Sequence, residues 1–246
     1  MIAVHQIALV FHIVVGAAAL FVFWVPVVAR KGGPLHKKAG RWFVWGMTAV
    51  AVTGVVLSTM VLIDPVHIRT GGRTLPMVEA FDIAERARTF SLFLLMLSVL
   101  VYTSARHAVL VLKARMDRSI LRSPLHVASM VMTGVLALIT GYVGFKNDEL
   151  LLMIFCVIGT SGSITTLRYT FKTQLRNKEW IIEHIGSTIG CGIAAYTAFF
   201  AFGGRALLGQ FLVGAWQVVP WVLPTIIGTY FSRRMVRTYS KKFALV

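Results

Sequence analysis

Charge is scarce in this chain. Of 246 residues 14% are charged, only nine are acidic, and 57% are hydrophobic. Soluble domains carry roughly 25% charged residues, so a water-soluble globular protein is excluded and a polytopic membrane protein is indicated. Cysteine is nearly absent as well: Cys156 and Cys191 lie in separate apolar runs at different depths, and two free packing thiols are expected. No His-Glu-x-x-His occurs, which excludes the helical zinc-protease site, and no P-loop or dinucleotide fingerprint is present. The last apolar run has no lysine for a retinal Schiff base, and no acid lies well inside any run, against a ceramidase-type zinc hydrolase. No basic residue precedes the first run, Ile7 to Val28; Arg30 follows it, the reverse of a secretory signal, so the first helix is expected to be retained.

What is present is a series of apolar segments long enough for a bilayer core, which takes about 20 residues per helix. The pattern predicts an all-α, seven-transmembrane-helix bundle forming a single integral membrane domain over 1–246, with spans near 5–29, 41–63, 89–112, 125–145, 150–170, 182–203 and 207–231. The first, third and fifth connections and the tail hold nineteen of the 25 basic residues. The other connections hold six of the nine acids. The positive-inside rule then puts the N-terminus outside and the C-terminus in the cytoplasm, in the inner (plasma) membrane. Net charge +16 therefore marks a membrane face and contact with anionic lipid, with no nucleic-acid partner expected. The longest loop, about Asp64 to Arg88, predicts a short amphipathic helix from Met77 to Phe90 that leads into the third span, with Pro76 near its start.

Within the spans, Gly186, Gly190, Ala194 and Ala198 form a small-residue stripe, read as packing or as a homo- or hetero-oligomer contact. Pro220 and Pro224 are expected to kink the last helix. Thr160, Ser161, Ser163, Thr165 and Thr166 make half of the fifth span polar, for bonding back to the helix or for lining a wet cavity. Trp42, Trp45 and Trp180 fit an interfacial belt.

The seven histidines carry the most specific chemistry. His36, in Gly33-Pro34-Leu35-His36, precedes the second span; His126, in Ser123-Pro124-Leu125-His126, opens the fourth; His184, after Glu183, opens the sixth. All three enter from the basic side, so their imidazoles can converge in one layer, which His107 at the end of the third span can join. A helix N-terminus disfavours imidazolium and keeps a nitrogen lone pair available. The layer is a candidate haem or metal site, with His36, His126 and His184 as the metal ligands; capping or loop-bonded histidines explain the same positions. His12 lies roughly two turns inside the first span, where an ionisable group needs a partner. With His5 and His67 it suggests a second polar site near Asp64, Glu79 and Asp82, with His12 as a cofactor ligand or proton relay; a buried histidine bonded to one neighbouring helix explains it equally.

His12-x3-Gly16-Ala17-Ala18-Ala19-Leu20, then Arg30-Lys31-Gly32-Gly33-Pro34-Leu35-His36-Lys37-Lys38-Ala39-Gly40-Arg41 and Met47, and later Trp180-x3-His184 with Ile193-Ala194-Ala195-Tyr196-Thr197-Ala198-Phe199, carry a resemblance. On these residues the chain resembles a bacterial family of uncharacterised multi-span membrane proteins, a domain of unknown function. The resemblance implies a multi-helix bundle, points to His12, His36 and His184, and supplies no activity. His126 enters the candidate site by topology.

Two functional classes fit the residues. The first is a b-type haem or transition-metal redox protein, a membrane oxidoreductase exchanging electrons with a quinone or small molecule through neutral histidines. The second is a proton-coupled small-molecule carrier, with histidines as a relay and the proline-broken seventh span as gate. A non-catalytic assembly partner is a third. The number of histidines at helix ends, against no buried carboxylate, favours the redox class.

Overall fold

A computed structural model of the chain describes residues 1–203, 216 and 219–243. Among these it has eight α-helices and no strand: α1 (Ile2–Val28), α2 (Pro34–Ile63), α3 (Pro65–Thr70), α4 (Met77–Ala114), α5 (Pro124–Lys146), α6 (Leu150–Phe171), α7 (Glu179–Ala198) and α8 (Val219–Lys242). A single turn of π-helix, Phe199–Gly203, follows α7. Five helices, α1, α2, α4, α5 and α6, are long and apolar enough to cross a membrane, the mark of a multi-pass membrane protein. The other two long helices carry charge: Glu179 and Glu183 open α7, and Arg233, Arg234, Arg237, Lys241 and Lys242 fill the second half of α8. The stretch expected as a seventh span, 207–231, begins outside the described residues.

The helix starts follow local chemistry. Gly32 takes φ 77°, a left-handed conformation that favours glycine, and turns the chain after α1. Gly33 is extended and Pro34 is the first helical residue of α2, where a missing N–H costs nothing. Ser123 and Pro124 start α5 in the same way. The helix expected from Met77 to Phe90 runs on into the third expected span without a break, as one 38-residue α4. At about 1.5 Å per residue α4 is roughly 57 Å long, against a hydrocarbon core of about 30 Å. Its first turns therefore project beyond the membrane, and Arg88 Nε reaches back 3.3 Å to Leu62 O at the end of α2.

α4 is the central column. On one side Phe93 and Met96 pack with Ala137 of α5 and with Leu152 and Phe155 of α6. On the other, Ala105 packs with Ala19 and Phe23 of α1, Phe43 and Met47 of α2 and Cys191 of α7. Close approach is set by glycine where a Cβ would collide: Gly54 against Ser98, Gly192 against the Phe23 ring, and Gly228 of α8 against Ile193 of α7. Trp221 brings the start of α8 onto Phe93 and Phe155, with ring centroids 5.6 and 6.0 Å away. At the opposite end of α8, Lys178 Nζ sits 5.0 Å over the Phe243 ring, so α7 and α8 run antiparallel. The end of α8 thus lies with the basic connections, and Met1 lies at the far end.

Candidate functional site

Each of the Pro-Leu-His starts places its histidine at the third helical position, from which the ring reaches back to the end of an earlier helix. In α2, His36 Nδ1 bonds Pro26 O at 3.0 Å, beside Lys31, whose ammonium caps the carbonyls of Pro26 and Val27. In α5, His126 Nε2 lies 3.0 Å from His107 Nδ1 on α4, with the two rings stacked at 5.2 Å and 18°. His107 Nε2 in turn lies 3.1 Å from Glu183 Oε1 on α7. The next residue, His184, bonds Ala108 O through Nδ1 at 2.8 Å. Four histidines from four helices therefore occupy the basic end of the bundle, and His36 lies within electrostatic range of His184.

Glu183, His107 and His126 form one continuous chain. An ionised carboxylate can only accept, so His107 donates from Nε2–H. A neutral His107 then accepts at Nδ1, and His126 donates from Nε2–H. This leaves a lone pair on His126 Nδ1, which is buried and has no hydrogen-bond partner among the described residues. His107 and His126 are both fully buried, whereas the Glu183 side chain keeps 21% of its surface exposed. The chain therefore leads from the basic surface of the bundle to one buried nitrogen. Tyr169 of α6 stands edge-on to His107, with centroids 5.7 Å apart at 87°, and closes the site from the side.

Adding one proton at His126 Nδ1 shifts every hydrogen by one place. His126 gives its Nε2 proton to His107 Nδ1, and His107 gives its Nε2 proton to Glu183. Both end states keep the same two hydrogen bonds. In a low-dielectric interior such bonds polarise one another, and a fully connected chain is the favourable case.

The segment flanking this site is also charge-ordered. Glu179, outside the expected sixth span, is partly buried, which raises its pKa, but Lys172 at 2.6 Å and the Arg176 N–H outweigh this and hold it below the ordinary carboxylate value. Asp117, in the connection after α4, is lowered by the backbone N–H and hydroxyl of Ser119. Arg118 caps the end of α6 through the carbonyls of Tyr169, Lys172 and Thr173.

The remaining expected site residues stand apart. His36, His126 and His184 are not assembled on one centre: among the described residues no three His, Cys, Asp or Glu side chains are placed to hold a metal ion. His12 faces α2, its Nδ1 2.9 Å from Thr53 Oγ1. Thr53 donates its own proton to Ala49 O at 2.7 Å, so His12 is the donor to Thr53. His67 packs its ring near Gly72 and Ile2, and His5 lies within electrostatic range of Arg69. Gly186 and Gly190 have open space around them: a Cβ on either would meet no atom within 4 Å among the described residues. Ser161 and Thr166 bond back to their own helix, and Ser163 donates across to Met130 O. Both cysteines are free thiols.

Sequence reasoning overlooked Glu183. It sits one residue into the expected sixth span, beside His184. The signal was there: one of only nine acids, adjacent to a histidine at the basic end. Comparison of the chain with known protein families, characterised proteins and solved structures gives no match.

Proposed function

We propose that this protein is a proton-relaying carrier of the plasma membrane, with seven spans, an outer N-terminus and a cytoplasmic C-terminus. The observation that carries the reading is the buried chain Glu183–His107–His126. It accepts a proton at one end and delivers it at the other without loss of a hydrogen bond, which is what a relay requires. Glu183, partly exposed at the basic end, exchanges with the cytoplasm; His126 Nδ1 exchanges with the interior of the bundle. The seven-span arrangement is supported by α7 and α8 lying beside the five apolar helices, and its orientation by the split of basic residues. A pH step applied to proteoliposomes on a solid-supported membrane tests the function. Wild-type protein is expected to give a charge-displacement current that His107→Gln abolishes; equal currents from the two proteins contradict the reading.

A second reading, a haem or transition-metal redox centre, is favoured by His36 and His184. Each has its Nδ1 on a backbone carbonyl, which leaves Nε2 as the lone pair that a metal takes. His107 does not fit this role, because His126 and Glu183 take both of its nitrogens, whereas His126 keeps a buried lone pair at Nδ1. The bound group would supply electron exchange with a quinone or small reductant. Stoichiometric metal or a haem spectrum, lost in His184→Ala, supports this reading; neither in the purified protein removes it.

A further inference from the structure

We propose that α8 carries a binding site for an anionic phospholipid, independent of the proton relay. A groove of about 740 Å³ runs along this helix from Thr225 to Lys241. Its lining changes character along its length. Ile226 and Tyr230 are 61% and 62% exposed at the apolar end, and Arg233, Arg237 and Lys241 follow at four-residue spacing on the same face. The sixteen-residue rise spans roughly 24 Å, and one leaflet with its headgroups is about 20–22 Å deep. The groove thus matches one lipid molecule, its acyl chains along Ile226 and Tyr230 and its phosphate on the arginines, whose forked donors pair with phosphate oxygens.

Charge complementarity selects an anionic headgroup: the lining holds four basic side chains, Arg234 besides the three on this face, and no acid. The level is also right. A second, smaller groove lined by Lys38, Arg41, Trp42 and Trp45 lies at the same end of the bundle, and tryptophan beside basic residues is the composition of the headgroup region.

The test is native mass spectrometry of the full chain, released from mixed micelles containing phosphatidylglycerol and phosphatidylcholine. Wild-type protein is expected to retain phosphatidylglycerol on the order of a hundredfold better, from three basic contacts near the surface. R233Q/R237Q/K241Q, which keeps only Arg234 in the lining, is expected to lose most of that preference, while K38Q/R41Q keeps it and R233K/R237K retains most of it. Millimolar inorganic phosphate is expected not to displace the lipid. Equal retention of both lipids by the wild type, undiminished preference in the triple variant when it elutes and unfolds like the wild type, or displacement by phosphate each overturns the proposal. If the triple variant does not fold, loss of the preference in R233Q/K241Q decides for the site, and its persistence decides against it.

Discussion

Glu183 is where the relay meets water, and changing it separates a conducting role from a structural one. Glu183→Gln keeps an oxygen that His107 Nε2–H can bond, and removes the charge and the site that takes the proton. A hydrogen bond to a charged group contributes about 1.5–3 kcal/mol and a neutral one about 0.5–1.5 kcal/mol, so the substitution costs about 1 kcal/mol of stability. Water reaches this carboxylate, whose side chain is 21% exposed, which favours the low end of that range. Glu183→Ala leaves the fully buried His107 with an unpaired N–H and costs about 1–3 kcal/mol. Glu183→Asp withdraws the carboxylate by about 1.5 Å, beyond direct hydrogen-bond reach of a ring that is now 3.1 Å away. Proton currents follow a different order. Gln cannot accept a proton, so the pH-step current is expected to fall by about 10²–10⁴, the usual contribution of a positioned proton-transfer group. Asp, bridged by water, retains an intermediate current. Thermal unfolding in detergent reads the first series and the proteoliposome current reads the second. A Glu183→Gln protein that conducts like wild type refutes the relay, whatever its stability.

The packing and the flanking charges give three more expectations. Gly54→Ala forces a Cβ into Ser98 Oγ and onto the His12 ring, so it is expected to destabilise by about 1–3 kcal/mol, with partial recovery in Gly54→Ala/Ser98→Ala; a neutral single change contradicts the α2–α4 contact. Gly190→Ala, which meets open space, is expected to be neutral or stabilising by up to about 1 kcal/mol through helix propensity, whereas Gly192→Ala collides with Phe23 and lowers the melting temperature; Gly190→Ala on a sizing column shows whether the stripe mediates self-association. Glu179 has a pKa below its unfolded value, so its stabilisation is present above the ordinary carboxylate range and is lost as pH falls through it. Wild type and Glu179→Gln are therefore expected to differ in stability at neutral pH and to converge in acid, and a constant difference across pH contradicts the pairing with Lys172.

The helices were legible because their signal is strong and local. Apolar runs bounded by Pro34, Pro124 and the basic connections fixed α1, α2, α5 and α6 to within a few residues, apart from the first turns of α2. Met77 to Phe90 is legible as a helix leading into the third span although its charges break the apolar pattern, because nothing in it breaks a helix, and α4 runs on as one rod. The site was half legible. Topology placed His36, His107, His126 and His184 at one end, but which ring meets which depends on helix rotation, and a shift of one residue turns a side chain by about 100°. That rotation sends His107 toward both His126 and Glu183 and His36 toward a backbone carbonyl. Glu183 escaped because depth along the sequence was used as a measure of burial, while partnership with a buried histidine is what makes it part of the chain.

Nitrogen NMR of histidine-labelled protein in lipid, with His107→Gln and His126→Gln for assignment, tests the relay most directly. The account predicts both rings protonated at Nε2 at neutral pH, with a coupling across the His126 Nε2 to His107 Nδ1 hydrogen bond and a bare His126 Nδ1. A His107 ring protonated at Nδ1 with its Nε2 bare, or two rings without coupling between them, contradicts it.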